Sequence, residues 1–297
     1  MSSFRSYLDD CKSCSKRVTL IRGATIVDTD TGSYVFKKSP RDCLDTYRYL
    51  MGRGFDYIPE LVYRKDGYDV YRYVSSIDEP NDQKMFDLMY VVSLLHLKTT
   101  YYREVDIEDY KKIYEDVNDS IVDIYNYYNG IMDSIETKVY YSPYEYLIAR
   151  NISMVYKSLD YARKNISYWY DLIKDKSKQR VVTIHNNLDI SHYLHSDKSY
   201  LISWGKSKID MPIYDLLKLY HNHYLDFSFN ELFLEYEKRY PLLEEERVLL
   251  LTLMSIPFKI INREDNYSLC KEVRKVFDYI YITDKLKAEY GVTPSTH

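Results

Sequence analysis

The hydrophobic patterning of this chain predicts an α+β protein, with a small antiparallel β lobe in residues 1–75 followed by a large helical lobe in residues 76–297. Three observations predict it. Up to about Val74, apolar residues alternate with polar ones in short runs broken by glycines, which is the period of half-buried strands. Beyond the polar, proline-containing stretch Ser75–Asn81, apolar residues recur at helical spacing instead. One segment from Val181 to Tyr220 departs from that helical spacing, and it holds the residue types that carry chemistry.

In the first lobe, Val18–Ile21 and Ala24–Val27 flank Gly23, and Asp30-Thr31-Gly32 is a hairpin turn into Ser33–Lys37. A helix is expected from about Pro40 to Met51, with Leu44, Tyr47 and Leu50 on one face and Gly52 and Gly54 ending it. Leu61–Tyr63 and Asp69–Val74 form a second hairpin around Asp66-Gly67. This gives five strands and one helix.

In the second lobe, Met85, Leu88, Met89, Val92 and Leu95 make one core face, and His96 at its end is expected to pack as a structural residue. Val117, Ile121, Ile124, Tyr128, Ile131 and Ile135 make another. Ser142-Pro143-Tyr144-Glu145 is a capping box with proline at the first helical position, opening a helix toward Asp171. Ser228–Glu231 has the same capping pattern. Helices are expected through Arg239, from about Glu244 to Ile261, and from about Ser268 to Leu286, with a frayed tail from Gly291 to His297. Lys174–Lys178 is a solvated charged stretch.

Composition narrows the function classes. The 297 residues carry 41 basic and 45 acidic side chains for a net charge of −4, so there is no basic surplus that would argue for nucleic acid. The start MSSFRSYLDD lacks the pattern of a signal peptide, and the apolar run Val248–Ile261 is too short to span a membrane. A cytoplasmic location is therefore expected. Cys11, Cys14, Cys43 and Cys270 are too sparse for a disulfide framework. Cys11-x-x-Cys14 has the spacing of half a zinc site, but no second pair completes it. Thirty-six tyrosines stand against nine phenylalanines and eight glycines. A base composition favouring Tyr, Ile, Lys and Asn codons accounts for them, as does a protein built for an interface or a coat, where tyrosine offers large amphipathic area at low entropic cost.

The segment from Val181 to Tyr220 opens with the apolar run Val181, Val182, Ile184 and turns at His185-Asn186-Asn187. It reaches a second short strand at Tyr200-Leu201-Ile202 and ends at Pro212 and an amphipathic helix. His185, Leu188, Leu194, Ile202, Trp204 and Tyr214-Asp215-Leu216 form a frame that resembles the catalytic loop and metal segment of the aminoglycoside/choline phosphotransferase family. The strand Tyr34-Val35-Phe36-Lys37 and the Leu95-His96 helix end resemble that family too, and the helical arrangement resembles its spore-coat S-type branch. The resemblance implies a protein-kinase-like bilobal fold. It also implies that Lys37 reaches phosphate oxygens, that Val35 lines the adenine slot, that His185 packs beneath the loop, and that Asp215 hydrogen-bonds the loop backbone. Outside the resemblance, Lys37 is simply an exposed lysine at a strand end.

Against this frame the chemical positions are altered. The resemblance puts a base at Asn187 and metal ligands at His192 and Ser203. An amide has no useful basicity, which forfeits a general-base contribution of roughly 10²–10⁴. Imidazole suits Mg²⁺ poorly because that ion prefers hard oxygens, and a serine hydroxyl brings no charge. Metal binding at His192 and Ser203 is therefore not expected. Asp189, Asp197 and Asp210 are the nearest candidate replacements. The glutamate that holds the strand lysine in kinases is missing from the Pro40–Met51 helix, leaving Asp42 and Asp45. His221 and His223 stand two apart on a helix and do not share a face.

The expectation is a kinase-fold pseudoenzyme that binds a protein partner or a small ligand, or takes a place in a spore coat. No nucleic acid or membrane partner and no cofactor are expected, with ATP held without metal as a further reading. The rival is an active small-molecule phosphotransferase using Mg-ATP and unconventional residues.

Overall fold

The computed structural model describes residues 15–21, 23–39, 44–65 and 67–291. Cys11, Cys14, Cys43, Asp42, the helix start at Pro40, Asp66 of the second hairpin turn and the tail beyond Gly291 lie outside the described residues. The chain divides into two compact units: residues 1–100 with 182–209, and residues 101–181 with 210–297.

The first unit contains the expected antiparallel sheet. Its strands are β1 (Ser15–Ile21), β2 (Ala24–Thr29), β3 (Ser33–Lys38), β4 (Leu61–Lys65) and β5 (Tyr68–Arg72), in the order β1-β2-β3-β5-β4. Positive φ at Gly23 (84°), Gly32 (140°) and Gly67 (76°) lets the hairpins turn tightly. Alternation sends Tyr34 and Phe36 to one face, where they join Val27 and Val70 in a buried cluster with Tyr63 against it. Val35 and Lys37 therefore occupy the opposite face. Helix α1 (Leu44–Gly52) buries Tyr47 and Leu50, and α2 (Asn81–Thr99) buries Met85, Leu88, Met89, Val92 and Leu95. His96 is fully buried at the end of α2. α2 packs against the hairpin of β8 (Tyr193–His195) and β9 (Ser199–Leu201).

The second unit is mostly helical: α3 (Ile107–Glu136), α4 (Pro143–Ile173), α5 (Ile213–His223), α6 (Phe229–Glu237), α7 (Glu244–Met254) and α8 (Asn266–Tyr290). α4 is its central element. Its buried stripe Val155, Leu159, Ala162, Ile166, Trp169 and Ile173 steps by three and four residues, and it packs against α3, α7 and α8. At its start the Glu145 carboxylate accepts from both the backbone N and the hydroxyl of Ser142, each at 2.8 Å, so the expected cap is formed.

Three expectations need correction. Ser228 stands at the N-cap of α6 but its side chain makes no capping hydrogen bond, and no capping box with Glu231 forms. The helix expected to reach Ile261 stops at Met254, since Pro257 disfavours helical backbone in the residue before it and cannot donate within a helix. A strand that the patterning did not signal, β6 (Tyr101–Glu104), pairs antiparallel with β7 (Lys178–Ile184) in the register Tyr101↔Val181 to Glu104↔Lys178. All four of its residues are exposed, which leaves no alternation to detect.

Among the described residues no helix is long and apolar enough to cross a membrane.

Candidate functional site

The first unit brings together the residues singled out near Val35–Lys37 and in the His185–Ser203 loop. β7 delivers the fully buried His185, whose Nε2 donates to the carbonyl of Ile202 at 2.8 Å. The imidazole packs edge-on against Trp204, with ring centroids 4.9 Å apart. The backbone N–H of the same Ile202 donates to the carbonyl of His192 at 2.9 Å. Trp204 Nε1 donates to Leu201 O at 2.7 Å. Ile202 is thus held from both sides, which fixes the residue that follows it, Ser203.

Ser203 has φ 74° and ψ 44°, and Asn186 has φ 55°; among the described residues these are the two non-glycine positions with positive φ. The left-handed conformation is costly for residues with a Cβ and is tolerated best by asparagine and aspartate, so a serine there marks a backbone imposed by its surroundings. That backbone presents Ser203 Oγ to the strand lysine. Lys37 Nζ donates to it at 2.8 Å across 166 residues of sequence.

His192 ends a short 3₁₀ turn (Ile190–His192), and its Nδ1 lies 2.7 Å from the carbonyl oxygen of Asn187. A carbonyl only accepts, so Nδ1 carries the proton and donates. The Asn187 side-chain amide nitrogen lies 3.5 Å from that nitrogen. Asp189, the first candidate replacement, engages one carboxylate oxygen locally. Its Oδ1 caps the 3₁₀ turn, accepting from the backbone N of Ser191 at 2.9 Å and from its hydroxyl at 2.6 Å. Asp197 accepts from the Tyr200 hydroxyl at 3.0 Å. In the second unit, Asp210 Oδ1 accepts from Met211 N at 2.8 Å, and Asp215 is fully buried in the first turn of α5.

One carboxylate beside Lys37 escaped the sequence reasoning. In the β3–β5 register Lys37 stands opposite Asp69, and in the β4–β5 register Arg64 stands opposite the same Asp69. Directly opposed residues share a face, so Lys37, Asp69 and Arg64 form a row across three strands. Asp69 is 1% exposed; Arg64 Nη1 lies 3.1 Å from its Oδ1, and the Tyr71 hydroxyl donates to its Oδ2 at 3.2 Å. Val35, on the same face, stands opposite Ile26 and Tyr71. Asp45, offered by the sequence as a partner for the lysine, is exposed and 3.7 Å from Arg48. The available signal for Asp69 was a single acidic residue in the strand Tyr68–Arg72.

The residues present do not fit the Mg²⁺ that a kinase-like fold implies. Ser203 Oγ already receives an ammonium group, His192 Nδ1 is engaged as a donor, and positions 187, 192 and 203 carry no carboxylate.

The chain has the phosphotransferase-type, kinase-like fold of aminoglycoside phosphotransferases and choline kinases. It is similar to an aminoglycoside phosphotransferase from Alicyclobacillus acidocaldarius subsp. acidocaldarius DSM 446, with TM-score 0.66, 11% identity and 92% of each chain covered. It is also similar to the choline kinase LicA from Streptococcus pneumoniae, with TM-score 0.50, 15% identity, and coverage of 97% of this chain and 99% of that one. At these identities the likeness establishes the fold. No protein-family model and no curated protein sequence matches the chain.

Proposed function

We propose that this kinase-fold chain is a pseudoenzyme whose role is binding: it engages a protein partner or a small ligand, and it does not transfer phosphate. The observation that carries this reading is the 2.8 Å hydrogen bond from Lys37 to Ser203, at the position where the resemblance calls for an anionic metal ligand. Phosphoryl transfer depends on a positioned hydroxyl and on cations that neutralise the migrating charge. Here Asn187 cannot accept the proton, and His192 and Ser203 give a metal ion no negative charge to bind. The ligand class that suits what remains is a nucleotide held without metal by Lys37 on the face that carries Val35. A place in a spore coat or similar assembly is the corresponding structural role.

The rival reading, a working small-molecule phosphotransferase, draws support from the fold shared with an aminoglycoside phosphotransferase over nearly the whole chain. Phosphate transfer to aminoglycosides or choline, followed with purified protein, Mg²⁺ and ATP, separates the two. The expected result is no turnover above background. A rate of about 1 s⁻¹ or more, abolished by Asn187→Ala, would overturn the pseudoenzyme reading.

A further inference from the structure

The first unit contains a second group of chemically able side chains that the nucleotide reading does not use. Glu79 closes the extended stretch between β5 and α2, Asp87 lies on α2, and His195 ends β8. One donor atom from each lies within 4.8 Å of the other two. These residues come from three separate segments, so their convergence is a product of the fold and not of local sequence.

An independent observation points to a ligand among them. Glu79 Oε1 and His195 Nδ1 are both buried, and neither has a hydrogen-bond partner. Buried polar atoms are nearly always satisfied, so an orphan atom on each of two members of one cluster asks for a group that can bind both. A proton shared directly between them would place them within hydrogen-bond distance, and they form no such bond. Asp87 is held in place, its Oδ1 accepting from Gln83 Nε2 at 2.9 Å. The backbone N–H of Ile77 donates to His195 O at 2.7 Å, which pins the linker against the hairpin where the three donors meet.

We infer that Glu79, Asp87 and His195 form a site for a borderline divalent transition-metal ion of the Zn²⁺ type, which clamps the linker to α2 and to the β8–β9 hairpin. One imidazole nitrogen with two carboxylates suits such an ion and suits Mg²⁺ or Ca²⁺ less, since those favour oxygen-only sets. Tetrahedral bonds of about 2.1 Å separate ligand atoms by about 3.4 Å, so rotamer adjustments of about 1 Å complete the set. Three protein ligands leave a fourth position for water. The role is structural, because the linker has no strand or helix of its own between β5 and α2.

The test uses the EDTA-stripped full chain in a Cys11→Ser/Cys14→Ser background, which removes the thiolate pair as a competing site. It is titrated with Co²⁺ and then with Zn²⁺. The expected result is binding whose visible cobalt bands lack thiolate charge transfer, displaced by Zn²⁺ and untouched by excess Mg²⁺. Affinity for that equivalent should fall at least tenfold in Glu79→Gln and in His195→Gln. Glu79→Gln is nearly isosteric, so it decides the matter even if His195→Gln fails to fold; far-ultraviolet circular dichroism establishes which variants are native. No binding, or binding with unchanged affinity and stoichiometry in native Glu79→Gln, would overturn the inference.

Discussion

Magnesium should add nothing to nucleotide binding by the unmodified protein, and the reason is one hydrogen bond. An ion coordinated by Ser203 would have to share a hydroxyl that already accepts from Lys37 at 2.8 Å. A divalent ion about 4 Å from that ammonium meets a repulsion of about 8 kcal/mol at an effective dielectric constant of about 20. Asn187 and Ser203 offer no negative charge against it, and His192 cannot. The perturbation is to restore the set with Asn187→Asp, His192→Asn and Ser203→Asp. Aspartate is at home in the left-handed backbone at position 203, and each new carboxylate reverses the sign of a comparable interaction. Thermal unfolding reads the outcome. A ligand at a hundredfold excess over its dissociation constant adds about 2.7 kcal/mol. At about 2.1 cal/mol/K per residue, a 297-residue chain unfolding as a whole has an entropy near 0.6 kcal/mol/K, so the shift is about 4 °C. The unmodified protein should show the same ATP shift with Mg²⁺ as with EDTA. The restored variant should gain a further shift of that order with Mg-ATP and lose it in EDTA. A clear Mg-ATP shift in the unmodified protein that EDTA removes would refute the reasoning.

Two further outcomes follow from the second unit and from the tyrosines. Arg180 donates to Glu246 through Nε at 2.9 Å and through Nη2, reaches Pro241 O at 2.9 Å, and lies 4.4 Å over the Tyr240 ring. Its side chain is 11% exposed and that of Glu246 is 3% exposed, so Arg180→Met strands a buried carboxylate and should cost about 3–5 kcal/mol. Adding Glu246→Gln should recover most of that in a denaturant double-mutant cycle, and a single-variant cost below about 1 kcal/mol would contradict it. Burial pushes the phenols of Tyr110 and Tyr193 from the ordinary 10.0 up to about 12. The fold therefore favours their protonated form, and the stabilisation is complete below pH 10 and lost as pH rises from about 10 to 12. Tyrosinate absorbance and circular dichroism followed together should show a late-ionising class that appears only with unfolding. A single titration step near pH 10 in the native fold would contradict this.

The fold was legible in the sequence wherever a rule of local geometry applied. Glycines sat where the hairpins need positive φ, Ser142 and Glu145 sat where α4 needs a cap, and the long apolar stripes became the buried faces of α2 and α3. It was illegible where a strand exists only because of its partner. Tyr101–Glu104 shows no alternation and is ordered as a strand by β7, some 77 residues further on.

The candidate site divides the same way. The residue types at 187, 192 and 203 were readable as altered chemistry, because an amide and a hydroxyl differ from carboxylates, and an imidazole from an amide, whatever surrounds them. That Lys37 and Ser203 meet, that Asp189 Oδ1 caps a turn, and that Asp69 lies between Lys37 and Arg64 were decided by tertiary structure. The sequence lists donors and acceptors with their chemistry attached. Which of them pair depends on strand register and on backbone brought together from distant parts of the chain, and no local propensity encodes a contact across 166 residues.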